Sequence, residues 1–150
     1  MRDTLIIVDM QQVYLDFFTK RIQNRLIKNI LAEIPNYKRV ILLEMDGEGD
    51  TIEPIKNKVP NSPVVYKYDM NGGKELDDFF QDNNIVPKGI YVCGIFREQC
   101  VSETSYGLRR VGYNHYILEH CSEPEGGKSQ VFGKKRMSRQ RVYKHEAFSY

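Results

Sequence analysis

The chain has no apolar run long enough to cross a membrane: LIIV, the longest uncharged string near its start, falls far short of the ~20 residues a helical span requires. It has no marked excess of either charge. Its 22 basic and 20 acidic residues leave a formal +2, too near balance for the domain as a whole to bind a polyanion. No charged-then-apolar leader opens it, and its three cysteines suit free thiols, which together predict a cytoplasmic, reducing setting and no membrane partner. No glycine-rich loop follows the first apolar segment, where DMQQVY stands, which counts against a nucleotide-binding domain. The histidines are also few: His115, His120 and His145 all come late and lack metal-ligand spacing, so structural or surface roles are expected.

What is present is enough chain for one domain, residues 1–150, able to bury roughly two-thirds of the surface its unfolded form exposes. Leu5 to Val8 reads as a strand buried on both faces and stopped by Asp9. From Thr19 a helical period puts Ile22, Leu26, Ile27, Ile30 and Leu31 on one face until Pro35 ends it. Val40 to Leu43 is a second strand, and EMDGEGDTIEPIKNKVPNSP after it reads as loop. Val64 to Tyr66 is a short third strand, Lys74 to Gln81 a helix, and IYVCGI the strongest strand. A helix from about Glu98 to Val111 follows, closed by Gly112, and His115 to Glu119 is a further strand. Strands alternating with helices predict a mostly parallel sheet covered on both faces, with ligands at the carboxyl ends of the strands.

Three residues just beyond strand ends carry chemistry. Asp9 is suited to act as a general base where burial moves its pKa toward neutrality, or to cap a turn. Lys67, closing VVYK, is suited to stabilise a carboxylate or a developing oxyanion, or simply to end a strand in solvent. Cys100 follows the turn at Gly94 and enters the first turn of a helix, where unpaired amides lower a thiol pKa from about 8.5 toward neutrality and can hold an oxyanion. The alternative is a small buried hydrophobe, the reading that fits Cys93 and Cys121. A nucleophile, a base and a cation at the ends of different strands make a minimal acyl-transfer site.

LIIVDMQ, VVYK and YVCGIFREQCVSETSYGLRRVGYNHYILEHCS resemble the isochorismatase-like cysteine hydrolases. Asp9 and Gln11 match that family's D-x-Q, and Gly94, Ile95, Glu98, Cys100 and Val101 match its G-[VI]-x-x-[DE]-x-C-V. Val111-Gly112-Tyr113 stands where R-G-Y is common, and His120-Cys121-Ser122 where D-A-C-S is. The resemblance implies a three-layer α/β sandwich, Rossmann-like, with a six-stranded parallel sheet in the order 3-2-1-4-5-6. It also implies a catalytic triad of Asp9, Lys67 and Cys100, with Lys74 as the alternative lysine. A cis peptide between Ile95 and Phe96, and an oxyanion hole from the backbone N–H groups of Phe96 and Cys100, belong to the same expectation.

The substrate-binding residues expected are Gln11, Ile95, Phe96 and Arg97, the last as a cation facing substrate one turn from the thiol, with Phe17 and Phe18 as further pocket walls. Nicotinamidases of the family hold a metal through an aspartate and histidines after the second strand; EMDGEGDTIEP has no histidine, so no metal, no cofactor and no nicotinamide substrate are expected. Relative to the family the chain is shortened in that loop and after Cys121. The expected activity is hydrolysis of a C–N bond in a small amide or ureido compound, by a homo-oligomer; the alternative is an inactive member serving in binding or assembly. The basic run from Lys134 to Arg141 is a solvated surface or a contact for nucleic acid, an acidic partner or an anionic substrate. It lacks aromatic interleaving, so a nucleic-acid partner is not expected.

Overall fold

Leu5, Ile6, Ile7 and Val8 expose no surface, and the strand they form, β1 (Arg2–Val8), lies at the centre of the sheet. The computed structural model describes residues 1–125 and 142–143. β1 pairs in parallel with β2 (Tyr37–Met45) on one side and β4 (Ile90–Ile95) on the other. β3 (Val64–Lys67) lies outside β2, and β5 (His115–Glu123) outside β4, both again parallel. The parallel order is therefore 3-2-1-4-5. The expected sixth parallel strand is corrected: Val142–Tyr143, β6, pairs with Ile117 and Leu118 of β5 in the antiparallel sense, which needs no crossover element.

The helices divide between the faces as the apolar periods dictate. Leu26 and Ile30 of α2 (Lys20–Glu33) pack in one core with Leu5, Ile7, Val40 and Leu42. Leu76 and Phe80 of α4 (Gly73–Asp82) and Leu108 of α5 (Ser102–Arg110) join Ile6, Val8, Ile41 and Val92 in the other. The Thr19 side chain caps α2 by accepting from Ile22 N–H, and Pro35 enters the 3₁₀ turn that ends it.

Three stretches differ from the sequence expectation. A single turn, α1 (Gln12–Leu15), follows Asp9, too short to show a period. The stretch expected to be all loop after β2 contains α3 (Glu53–Lys58), where Pro54 occupies the first turn and Ile55 is wholly buried. The helix expected from Glu98 is two pieces, a wide turn of π geometry at Arg97–Val101 and then α5. Gly112, at φ +93°, ends α5 as expected, with its N–H on Arg109 O and that of Tyr113 on Leu108 O. No helix among the described residues is long and apolar enough to cross a membrane. The basic run at Lys134 to Arg141 and His145 lie outside the described residues.

Candidate active site

β1, β3 and β4 end at the same edge of the sheet, and the chain is built there to bring their ends close. Gly94 pairs with Val8 in the ladder at φ +112°; a Cβ at this position would lie 2.1 Å from Val8 O. Only glycine lets β4 approach the end of β1 so closely. Asp9 then leaves the sheet with φ +52°, a left-handed conformation that aspartate tolerates better than most residues, and its N–H donates to Leu43 O. The peptide joining Ile95 to Phe96 is cis.

Lys67 ends β3, two strands from β1, a lateral separation of about 9–10 Å. Its four-carbon stem and the Asp9 side chain reaching toward it span that gap together. Lys67 Nζ lies 3.1 Å from Asp9 Oδ2 and also donates to Asp69 O at 2.9 Å. Neither side chain is more than 2% exposed. Cys100, in the π turn, completes the group, with its thiol next to both the carboxylate and the ammonium. Lys74, by contrast, is exposed and pairs with Asp78 at 3.8 Å, so the alternative lysine has no place at this site.

The electrostatics of the three groups depart from the expectation of a thiol acidified at a helix start. Burial pushes the Cys100 thiol up to about 12, and the Asp9 charge beside it adds to the rise, against an opposing pull from Lys67. Cys100 is therefore a thiol at rest. Burial likewise raises the Asp9 carboxyl above the usual carboxylate range, with Lys67 opposing most and the nearby Cys100 thiol and Met45 N–H less. Asp9 Oδ1 is buried without a hydrogen-bond partner among the described residues.

The four expected substrate contacts fare differently. Phe96 lies at the site among rings, with centroids 5.8 Å from Phe17, 5.6 Å from Phe18 and 6.2 Å from Tyr14. Ile95 is wholly buried in the core. Gln11 is turned to the backbone: Nε2 donates to Met45 O and Gly49 O at 3.0 and 2.7 Å, and Oε1 accepts from Met45 N–H. It fastens the loop after β2 to the end of β1. Arg97 is corrected most: it has no exposed surface, and it donates from Nε to Ser122 Oγ and from Nη2 to the carbonyls of Ser122 and Glu119. It holds the end of β5 rather than facing solute.

Tyr14 was not expected. Its hydroxyl is pushed up to about 12, by burial first and then by the nearby Asp9, Glu48 and Cys100 side chains, so it stands close to Asp9 and Cys100. A one-turn helix offers no periodicity from which to read this. After β2, Glu44 Oε2 accepts from the N–H and hydroxyl of Thr51, at 2.8 and 2.7 Å, while its Oε1 is buried without a hydrogen-bond partner among the described residues. Among the described residues, a carboxylate, an imidazole and a thiol come together elsewhere, at Glu33, His120 and Cys121.

No family model matches the sequence. No curated protein matches it either. Solved structures do match. An isochorismatase from Pseudomonas putida superposes with a TM-score of 0.68 at 18% identity, over 96% of this chain and 77% of that one. An N-carbamoylsarcosine amidase from Thermoplasma acidophilum gives 0.65 at 15% identity, over 81% and 84%. The YcaC gene product of Escherichia coli, described as an octameric hydrolase of unknown specificity, gives 0.65 at 16% identity over 82% of this chain. The present chain spans 64% of the length of that protein. At these identities the likeness is one of fold, and the fold is that of the isochorismatase-like hydrolases.

Proposed function

We propose that this chain is an isochorismatase-like cysteine hydrolase that cleaves the C–N bond of a small amide or ureido compound, with Cys100 as nucleophile, Asp9 as base and Lys67 as their electrostatic partner. The observation that carries this reading is the buried Lys67–Asp9 pair at 3.1 Å with the Cys100 thiol beside it. Burying three ionisable groups together is costly unless they act as a unit.

The chemistry follows from their charges. At rest the site holds a carboxylate, an ammonium and a neutral thiol, so its net charge is zero. When substrate binds, Asp9 takes the thiol proton and the negative charge moves to sulfur, next to the same ammonium; the net charge does not change. The thiolate attacks the carbonyl carbon, and the displaced electron pair rests on oxygen, held by the backbone N–H groups of Phe96 and Cys100. Re-forming the C=O bond breaks C–N, and the amine leaves with the proton from Asp9. Water then gives a proton to Asp9 and attacks the thioester, releasing the acid and, with that proton, the Cys100 thiol. The ring cluster of Phe96, Phe17, Phe18 and Tyr14 favours a substrate with a flat or apolar group beside its carbonyl.

The test is ammonia or amine release from a panel of primary amides and ureido compounds, with intact-mass detection of an acyl adduct. Wild type should turn over at least one of them and Cys100→Ala none; turnover that survives the substitution would sink covalent catalysis. A second reading, a binding or assembly protein on the same fold, is favoured by the burial of Cys100, only 7% exposed. It predicts no adduct with any compound and a thiol that alkylates no faster than a free model thiol at neutral pH. Homo-oligomeric assembly is part of the proposal, by likeness to the octameric E. coli protein, and light scattering of the purified chain tests it.

A further inference from the structure

The amino end of β1 borders a second polar cluster, at the opposite end of that strand from Asp9. Glu33 closes α2 there. Its Oε1 accepts from Tyr37 Oη–H at 3.0 Å and from Arg2 Nη1 at 3.3 Å, and its Oε2 lies 3.0 Å from His120 Nε2. His120 and Cys121 both come from β5, where successive side chains should point to opposite faces. They do not, because β5 bulges. Between the pairs Val92↔Ile117 and Gly94↔Ser122, the single residue Cys93 stands opposite the stretch from Leu118 to Cys121. The extra residues bring an imidazole nitrogen and a thiol sulfur to the same carboxylate, and all three atoms lie within 4.8 Å of one another. A cavity of about 580 Å³ opens beside them, lined in part by Arg2, Glu33, Asn36 and His120.

We propose that Glu33, His120 and Cys121 form a site for a divalent transition metal of the zinc class, with its remaining coordination position toward this cavity. The donor set selects the metal: one carboxylate oxygen, one imidazole nitrogen and one thiolate suit zinc or cobalt, whereas magnesium and calcium want oxygen alone. Charge agrees, since a thiolate and a carboxylate together neutralise a dication, and the further positive charge at the cluster, the Arg2 guanidinium, is partly exposed to solvent. Distance agrees as well. Metal–ligand bonds of roughly 2.0–2.3 Å in a tetrahedral site set donor atoms about 3.3–3.6 Å apart, so the cluster needs only side-chain adjustments. On loading, the Cys121 thiol gives its proton to solvent and His120 presents a lone pair. Arg2 and Tyr37, both bonded to Glu33 Oε1, hold the carboxylate so that Oε2 remains for the metal.

The test is a titration of the full, reduced chain with Co²⁺, followed by electronic spectroscopy, and a Zn²⁺ competition against a chromophoric chelator. Wild type and Cys100→Ser should both take up one equivalent with a sulfur-to-cobalt charge-transfer band that Zn²⁺ abolishes. Cys121→Ser should lose the band, and His120→Ala should weaken Zn²⁺ binding tenfold or more. Absence of the band in wild type, or its survival in Cys121→Ser, overturns the assignment. Because Cys121 is wholly buried, its variant can fail to fold; Zn²⁺ affinity unchanged in both His120→Ala and Glu33→Gln then overturns it equally.

Discussion

Lys67 Nζ stands 3.1 Å from Asp9 Oδ2 although β2 separates their two strands, and neither side chain meets solvent. Removing one partner of a buried pair leaves the other charge uncompensated. Lys67→Met should therefore destabilise the fold by roughly 3–5 kcal/mol in urea denaturation at pH 7, and Asp9→Asn by a similar amount. The double variant should cost clearly less than the sum, because it leaves no orphaned charge. Additive costs would mean that the two groups do not interact in solution as they do here.

The Cys100 thiol is pushed up to about 12 by burial and then by Asp9, while Lys67 pulls it down. Asp9→Asn removes the raising charge and leaves the lowering one. Iodoacetamide should then modify Cys100 at pH 8 at least tenfold faster in Asp9→Asn than in wild type, although the variant hydrolyses nothing. A carboxylate that served structure alone would raise the thiol through its charge in the same way, so faster alkylation establishes the electrostatic contact and the loss of turnover in a folded variant identifies the base. In wild type the acid limb of kcat/KM should fall above pH 4, since burial raises the Asp9 carboxyl beyond the ordinary carboxylate range.

Alkaline stability follows from the same burial. Cys93, Cys100 and Cys121 all have thiols raised by desolvation above the ~8.5 of an unfolded cysteine. Between those values the folded chain keeps protons that the unfolded chain releases, so stability is complete below about pH 8.5 and declines as pH rises past it. Urea midpoints measured from pH 7 to 10 should fall, and Cys93→Ala should lessen the slope while lowering the midpoint throughout.

The edge of the sheet was legible from sequence because strand ends are. Asp9 stops an apolar run, Lys67 closes VVYK, and Gly94 breaks IYVCGI, so each showed its position before any fold was known. What a side chain does beyond its strand end was not legible. Gln11 and Arg97 stand near Asp9 and Cys100 in sequence, yet they turn to the carbonyls of Met45, Gly49, Glu119 and Ser122, partners 22 to 38 residues away. The bulge in β5 is the other hidden feature. No alternation of apolar and polar residues announces that His120 and Cys121 meet Glu33, 87 residues from His120.

Gly94→Ala tests the closeness of β1 and β4. The new Cβ would meet Val8 O at 2.1 Å, a backbone atom that cannot rotate away, at a φ that alanine rarely adopts. We expect a loss of about 2–4 kcal/mol, from strain and displacement of the strand end together. Turnover should fall further than stability explains, since Asp9 directly follows β1 and the π turn that carries Cys100 hangs from the end of β4, the two strand ends that would be forced apart. A variant with near-normal stability and activity would contradict the close approach.

Gln11→Ala separates a loop fastener from a substrate ligand. The amide donates to Met45 O and Gly49 O and accepts from Met45 N–H, so its removal strips partners from backbone groups beside the site. The expected cost is about 2–3 kcal/mol, accompanied by faster proteolysis within residues 46–51. Gln11→Glu should be at least as damaging, because a buried carboxylate would face two carbonyl oxygens where the amide had donated to both. A glutamine that binds substrate would behave in the opposite way, with stability retained and KM raised in both variants. Denaturation curves alongside kinetics on any substrate the panel reveals decide between the two.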